Sequence, residues 1–512
     1  MRLRRLLVLT SLLALVSGPA LAQAPPNLAS ARVRYNSLKN SAKPSGDLKE
    51  QIDAIDKELA EASRLGQTSQ VRRLLAKGTA LLQGRTWSDA DDFDQSLVLR
   101  TDRVFVDSSV PYAVRLEQVY APAIELTSPL SARVSLRPLL AQPSGTPEAR
   151  PIKEVSDVSR DLRDSPLALD LDLASVTDGA YTLNVEIADG AKSLGTASLR
   201  IAVQKGLDAR LAALDKQAAS AAEGVRADIR YPGDVVKRIN RGVMEFGAFD
   251  LAREIAAAET IAASAKGGKD PFAGRTGGFE RHYLLDAAGE IMPYRIYVPK
   301  NYNASRPAPL VVALHGLGGD EDGWMDRYDG KLPELAEKYG YIAISPLGYR
   351  SDGFYGYTYG NDAASRRKQE LSEQDVMQVL ARTRQQYRVD DSRIYLMGHS
   401  MGAIGTWFLG AKYPDIWAAL GTIAGTGSPQ SVARMRHIPQ FVVHGDADPT
   451  VSVNGSRGMV AEMKKLSVEH VYIEVPGGNH TDIAVPNLSA MFEFFDAKRK
   501  TPPTTQHNHN KN

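Results

Sequence analysis

From Leu48 to Leu81 apolar residues return at helical steps. Leu48, Ile52, Ile55 and Leu59 lie four, three and four apart, and after Gly66 a second run follows through Val71, Leu74, Leu75 and Leu81. Each run is the stripe of an amphipathic helix, so residues 23–93 are predicted to hold a helical hairpin. Its charged faces suit a partner-binding coiled coil, but we read it as a short antiparallel pair packed on the next domain. Between about Asp94 and Gln204 the period drops to two, through Val104–Val106, Val114–Leu116, Val134–Leu136, Tyr181–Ile187 and, after an Asp189-Gly190 turn, Leu199–Val203. Several short strands at this spacing predict a β-sandwich of immunoglobulin-like type over 94–205. With no clustered exposed aromatics in the run, we read it as a spacer and not as a holder of polymeric substrate. Residues 206–266 return to helical period, with Val236, Ile239, Val243, Phe246, Leu251, Ile255 and Ile261 on one side. A Gly-rich charged stretch up to Gly277-Gly278 then reads as an exposed link, closing a connector over 206–278.

After the link the pattern becomes short apolar runs between helical stretches: Tyr294–Val298, Leu310–Leu314, Tyr341–Ser345, Arg393–Met397, Leu420–Ile423, Phe441–Val443 and Val471–Val475. Such alternation predicts a doubly wound, mostly parallel sheet over 279–498, with ligands at the carboxyl ends of its strands. Residues 499–512 are polar and predicted to be disordered, and His507 and His509 within them are not read as a metal tract. At the other end Met1–Arg5 carries three arginines, Leu6–Val16 is almost continuously apolar, and Ala20-Leu21-Ala22 offers small residues to a signal peptidase. Residues 1–22 are therefore predicted to be a secretory signal, since a mostly apolar stretch of eleven residues falls short of the ~20 that a spanning helix needs. The expectation is an exported protein, periplasmic or extracellular in a bacterium, with no stable membrane insertion.

Composition narrows the chemistry. Lys+Arg 62 against Asp+Glu 60 gives a net charge of +2, which argues against a nucleic-acid binder. The chain has no cysteine, so thiol catalysis, disulfides and cysteinyl metal sites are excluded, and a nucleophile must be a hydroxyl, amine or carboxylate. The sequence assigns no oligomeric state.

Gly398-His399-Ser400-Met401-Gly402 fits the Gly-x-Ser-x-Gly nucleophile elbow. Its context is the required one, because Ile394–Met397 reads as an entering strand and Ala403–Lys412 as a departing helix. A serine hydroxyl needs an imidazole to take its proton, and the imidazole needs a carboxylate on its other nitrogen. Past Ser400, His480 follows a predicted strand through Pro476-Gly477-Gly478-Asn479, whereas His437, His444 and His470 sit in a charged turn, at a strand end and ahead of a strand. Asp446 and Asp448 are both candidates for the acid. Asp448, two residues further into its loop, turns back more easily, and Asp446 can cap the turn. The two backbone donors for an oxyanion are assigned to Met401, directly after the nucleophile, and Leu317, in the loop His315-Gly316-Leu317-Gly318-Gly319. His315 is read as structural. Tyr349, Phe354, Tyr355, Tyr357 and Tyr359 crowd a Gly-rich loop on the same side of the sheet. That loop suits stacking of an aromatic acyl group or sugar as well as it suits packing on itself.

Taken as a set, Tyr294–Pro299, His315-Gly316, Tyr387–Asp390, Arg393–Gly402 and His444–Pro449 resemble the α/β-hydrolase esterases related to polyhydroxybutyrate depolymerases, feruloyl and acetylxylan esterases and prolyl-oligopeptidase-like hydrolases. The resemblance covers about residues 280–498. It implies an acid at the aspartate of His-Gly-x-x-Asp, here Asp448, and a histidine after a Gly-rich turn, here His480. Ala403 departs from the second glycine of many relatives. The expectation is an exported serine hydrolase cleaving small or polymeric carboxylic esters, with no metal or organic cofactor. A serine peptidase and a non-catalytic cell-envelope binding protein are the alternatives.

Overall fold

In the computed structural model, the described residues are 28–500 apart from 125, 127–128, 140–147, 245–248, 359 and 361. The signal sequence, Phe246, Tyr359 and the two tail histidines lie outside them. The chain divides into one unit of residues 1–215 and 232–257 and another of residues 216–231 and 258–512.

In the first unit the helical periodicity becomes helices Gly46–Arg64 and Thr68–Leu82. Ile52, Ile55 and Leu59 of one and Val71, Leu74 and Leu75 of the other share a core with Tyr35. Tyr35 belongs to a further helix, Leu28–Ala42, whose sparse stripe Leu28, Ala31, Tyr35, Leu38 did not stand out among polar neighbours. Gly78 is needed there, since a Cβ on it would lie 2.5 Å from the Tyr35 ring. The segments of period two form two sheets. Leu97–Arg100, Tyr112–Gln118 and Leu167–Leu171 make an antiparallel three-stranded sheet. Phe105–Asp107, Lys192–Gln204, Gly179–Asp189, Leu130–Pro138 and Arg150–Val158 make a five-stranded one, in that order. Alternate residues such as Val114 and Leu116 of the first sheet and Ala132, Val134 and Leu136 of the second enter one apolar cluster.

The expected continuous stripe from Val236 to Ile261 is corrected by a break. Helix Arg226–Asn240 ends at Gly242, whose φ is 70°, and helix Leu251–Ser264 begins the stripe anew. Val243 donates to Arg238 O and Gly242 to Ile239 O, the bonding of a Schellman cap, and Val243 is 57% exposed where the periodicity had it buried.

The second unit is built on eight strands: β1 Gly277–Leu285, β2 Glu290–Val298, β3 Ala308–Leu314, β4 Ile342–Pro346, β5 Val389–His399, β6 Ala419–Ile423, β7 Gln440–Gly445 and β8 His470–Val475. Their order is β1-β2-β4-β3-β5-β6-β7-β8. β1 and β2 pair antiparallel, as do β2 and β4, and the remaining pairs are parallel. The unit is thus a mixed, mostly parallel sheet with helices, of the α/β-hydrolase kind. β1 begins on Gly277 and Gly278, the last two residues of the expected link, and lies ahead of the first apolar run at Tyr294–Val298. It is an edge strand that buries Arg281 and His282 among its apolar residues, so it lacks the continuous apolar run of a central strand. Both residues close on Asp228: Arg281 Nη2 lies 3.3 Å from its Oδ2, and the His282 amide donates to its Oδ1 at 2.7 Å.

Residues of alternate parity along the strands feed the two faces. Val311, Ala313, Ala343, Tyr395, Met397, Phe441 and Val443 pack with Leu332 and Leu335 of helix Lys331–Tyr339 and with Leu488, Met491, Phe492 and Phe495 of helix Ala484–Asp496. Helix Met401–Lys412 covers the strands elsewhere, closely enough that a Cβ on Gly410 would meet Leu420 at 2.6 Å.

Candidate active site

The site grows out of the junction between β5 and helix Met401–Lys412. A Cβ on Gly398 would lie 2.2 Å from Gly402 O, and one on Gly402 would lie 2.0 Å from Leu314 O, so strand, turn and helix approach this closely only because both residues are glycine. Between them Ser400 takes φ 57° and ψ −117°, a conformation that L residues rarely hold. The Ser400 amide donates to Ile423 O at 2.9 Å, which fixes the turn to β6. Ala403 is buried, and Gly425 faces it so closely that a Cβ there would lie 2.5 Å from the Ala403 methyl. The departure from the family pattern is thus accommodated by a glycine on the facing loop.

Two other loops at the carboxyl ends of strands bring in the acid and the base. His480 follows β8 on a turn held by its neighbours: Asn479 Oδ1 accepts from the Thr481 and Asp482 amides, and Asp482 accepts from the Asn479 amide. Its Nε2 is 2.9 Å from Ser400 Oγ, and its Nδ1 is 2.7 Å from Asp448 Oδ2. Asp448 Oδ1 accepts from the Thr450 and Val451 amides at 2.7 and 2.9 Å. Burial alone would raise this carboxyl, but the hydrogen bonds from His480, Val451 and Thr450 outweigh it and hold its pKa below the usual carboxylate value. Asp446 is exposed and accepts from the Gly477 amide of the His480 loop at 2.7 Å, so its side chain ties two loops together and does not cap its own turn as expected. His444 is fully buried, with Nδ1 2.7 Å from Ser456 Oγ and Nε2 3.3 Å from Asp448 Oδ2. His437 and His470 contact main-chain oxygens of Pro414 and Val468.

The loop after β3 passes beside the nucleophile. A Cβ built on Gly316 would lie 3.5 Å from the Ser400 Cβ, so the next amide, that of Leu317, belongs to backbone adjoining the hydroxyl. Met401 opens its helix, where amides have no acceptor one turn earlier. His315 is buried, with Nε2 2.7 Å from Leu347 O, and burial pushes its pKa down.

The aromatic loop divides by position. Tyr355 is fully buried and donates to His315 O at 3.0 Å, Phe354 is buried, and Tyr349 reaches Glu290 at 3.2 Å beneath the Arg350 guanidinium. Tyr357 is half-buried and lines a cavity of about 370 Å³ with Ile404, Trp407, Phe408, Lys412 and Arg434. Ile404 stands one helical turn past Ser400. His399, Tyr328 and Trp324 surround the nucleophile turn without having been assigned a part. His399 stands inside the quoted motif, and that position was the available signal.

Residues 286–506 match the family model described as "Putative esterase". Feruloyl esterase B of Talaromyces stipitatus is 32% identical over 201 residues, which cover 38% of this chain and 49% of that protein. Acetylxylan esterase A of Talaromyces purpureogenus is 31% identical over 144 residues, 28% of this chain and 35% of that one. A solved structure of a thermostable esterase is 17% identical with a TM-score of 0.39, covering 76% of this chain and 95% of that one. The chain spans about half the length of the feruloyl esterases it matches. The matched stretch, residues 286–506, is the one that holds Ser400, Asp448 and His480.

Proposed function

We propose that the chain is a serine hydrolase of carboxylic esters. The observation that carries this reading is the continuous line from Asp448 through His480 to Ser400, with contacts of 2.7 and 2.9 Å. Asp448 accepts the Nδ1 hydrogen of His480 and leaves Nε2 bare, facing the hydroxyl. As Ser400 Oγ bonds to the ester carbonyl carbon, its proton passes to Nε2, and the imidazolium is stabilised by the carboxylate. The carbonyl oxygen, now carrying the charge, is held by the Leu317 and Met401 amides, an effect worth roughly 3 kcal/mol per donor. The alcohol leaves with the Nε2 proton. Water then adds to the acyl-enzyme with His480 again as base, and the acid is released.

Aromatic-acyl and acetylated-saccharide esters are the substrate classes the names of the relatives suggest, and the cavity at Tyr357 and Trp407 suits an aromatic or apolar group. We further propose export on the signal sequence at 1–22 and a spacer role for an immunoglobulin-like region at 94–205, with the hairpin at 23–93 packed on it and the connector following. In the test, wild-type protein and Ser400→Ala are assayed against short acyl esters, feruloyl and acetylated sugar esters, hydroxyalkanoate oligomers and aminoacyl amides. Wild type should hydrolyse at least one ester class and Ser400→Ala none above a small residual rate. A fluorophosphonate should label Ser400 in wild type only. Aminoacyl amide cleavage without ester cleavage would replace the esterase reading with a peptidase.

A further inference from the structure

One buried imidazole beside the nucleophile has both ring nitrogens engaged, one by a tyrosine outside the line just described and one by the main chain of its base. His399 is 4% exposed; its Nδ1 lies 2.7 Å from the Tyr328 hydroxyl and its Nε2 lies 2.8 Å from the main-chain oxygen of His480. A carbonyl can only accept, so Nε2 carries the hydrogen and bare Nδ1 accepts from Tyr328. Tyr328 is itself held: its ring stacks at 4.3 Å on Trp324, whose indole N–H donates to Leu314 O at 2.8 Å. The backbone at Tyr328 and Asp329 is left-handed, with φ 53° and 56°, a cost that the surrounding contacts must offset.

We propose that His399 is a positioning residue that ties the main chain of the base, His480, to the elbow carrying the nucleophile, with Tyr328 fixing its tautomer. The proposal rests on reading Ser400, His480 and Asp448 as the reacting line. His399 and Ser400 are adjacent, so one rigid peptide places the hydroxyl through its backbone and the base through its side chain. The bonds at Gly477, at Gly478 O, which accepts from the Ala447 amide at 3.1 Å, and within the Asn479–Asp482 turn act on either side of the base, and Asp448 holds its ring, whereas His399 holds its main chain. A base that drifts by a fraction of an ångström no longer meets Oγ at 2.9 Å, and near-attack geometry is steeply sensitive to such drift.

Charge supports the same arrangement. The titratable groups facing His399 are Tyr328, His480, Asp448 and His444. Burial pushes its pKa down to about 4, so it is neutral at working pH. The two imidazole centroids of His399 and His480 are 5.0 Å apart, and a cation at that distance would oppose the imidazolium that His480 must become.

The test uses full-length Tyr328→Phe, His399→Leu and His399→Gln, with inactivation by a fluorophosphonate resolved into kinact and KI so that no substrate need be known. His399→Leu should lower kinact about tenfold and Tyr328→Phe about threefold, each with KI within about twofold of wild type. His399→Gln, whose amide can still donate to His480 O, should recover most of the loss. Equal losses in Leu and Gln variants, KI moving as much as kinact, or kinact of both His399→Leu and Tyr328→Phe within twofold of wild type would overturn the proposal. If His399→Leu does not fold, Tyr328→Phe decides, because it removes one hydroxyl and leaves the ring on Trp324. Labelling that survives in Ser400→Ala would instead overturn the underlying triad reading.

Discussion

Replacing Asp448 with asparagine should disable the enzyme through a proton placed on the wrong nitrogen, and the direction follows from counting donors. Asp448 Oδ1 accepts from two main-chain amides, at 2.7 and 2.9 Å, while Oδ2 faces His480 Nδ1 at 2.7 Å and His444 Nε2 at 3.3 Å. An asparagine that turned its NH2 toward Thr450 and Val451 would face two main-chain donors that cannot adapt, whereas on the other side only His444 Nε2, which already donates to Val451 O at 3.0 Å, cannot; a part-buried donor left unmatched costs roughly 1–3 kcal/mol. Its oxygen therefore stays on the turn and its NH2 faces His480. Nδ1 must then accept, the ring hydrogen moves to Nε2, and Nε2 points a hydrogen at Ser400 Oγ where it should take one. Loss of the correct tautomer costs on the order of 10³–10⁴ in turnover, about 4–5.5 kcal/mol of barrier. Asp446→Asn keeps the acceptor for the Gly477 amide and should change turnover less than about threefold. The assay is kcat for p-nitrophenyl acetate, with fluorophosphonate labelling of Ser400 in parallel and circular dichroism to check the fold. Turnover in Asp448→Asn within tenfold of wild type, or a larger loss in Asp446→Asn, would refute the reasoning.

Two further outcomes test the scaffold under this site. Asp228→Ala removes the counter-charge from Arg281, which is 3% exposed, and from His282, so urea unfolding should show a loss of about 3–5 kcal/mol. For His282, burial lowers the pKa but hydrogen bonding and charge from Asp228 and Glu280 outweigh it and raise it to about 10. A raised folded-state pKa means that this contribution is complete below about pH 6.5, the ordinary histidine value, and is lost as pH climbs through 10, so the gap between wild type and variant should narrow over that range; a constant gap would remove His282 from the account. Gly402→Ala should abolish labelling of Ser400, because its Cβ would lie 2.0 Å from Leu314 O and 2.8 Å from His315 O, and only displacement of the helix start relieves both. Wild-type labelling in that variant would show that the elbow is looser than its backbone.

What could be read from the sequence and what could not divide along one physical line. Central parallel strands are buried on both faces, so β3, β5 and β7 announce themselves as unbroken apolar runs, and the loops directly after them must carry the chemistry. Ser400 and Asp448, proposed above as nucleophile and acid, are legible for that reason, whereas His480 follows the partly exposed edge strand β8 and is legible through its Gly-rich turn. β1 was not, since an edge strand that buries Arg281 and His282 on Asp228, more than fifty residues earlier, has polar residues where a strand pattern wants apolar ones. The aromatic loop shows the same limit from the other side. Its composition suits a binding surface, yet Ser372 Oγ accepts from the Tyr355 amide and Asp375 accepts from the Tyr349 amide, drawing the loop onto helix Ala363–Gln386 and leaving Tyr357 on the cavity. His399 was in view throughout, but its partner Tyr328 is 71 residues away and its other contact is a main-chain oxygen, which has no residue type to recognise. The Asp228 contacts also bear on where a shorter chain can begin. A start at residue 279 cuts into β1, which opens at Gly277, and leaves Arg281 and His282 buried without Asp228. Such a chain meets a stability deficit before its activity can speak to the amino-terminal regions, and only a version that retains residues 216–231 separates the two effects.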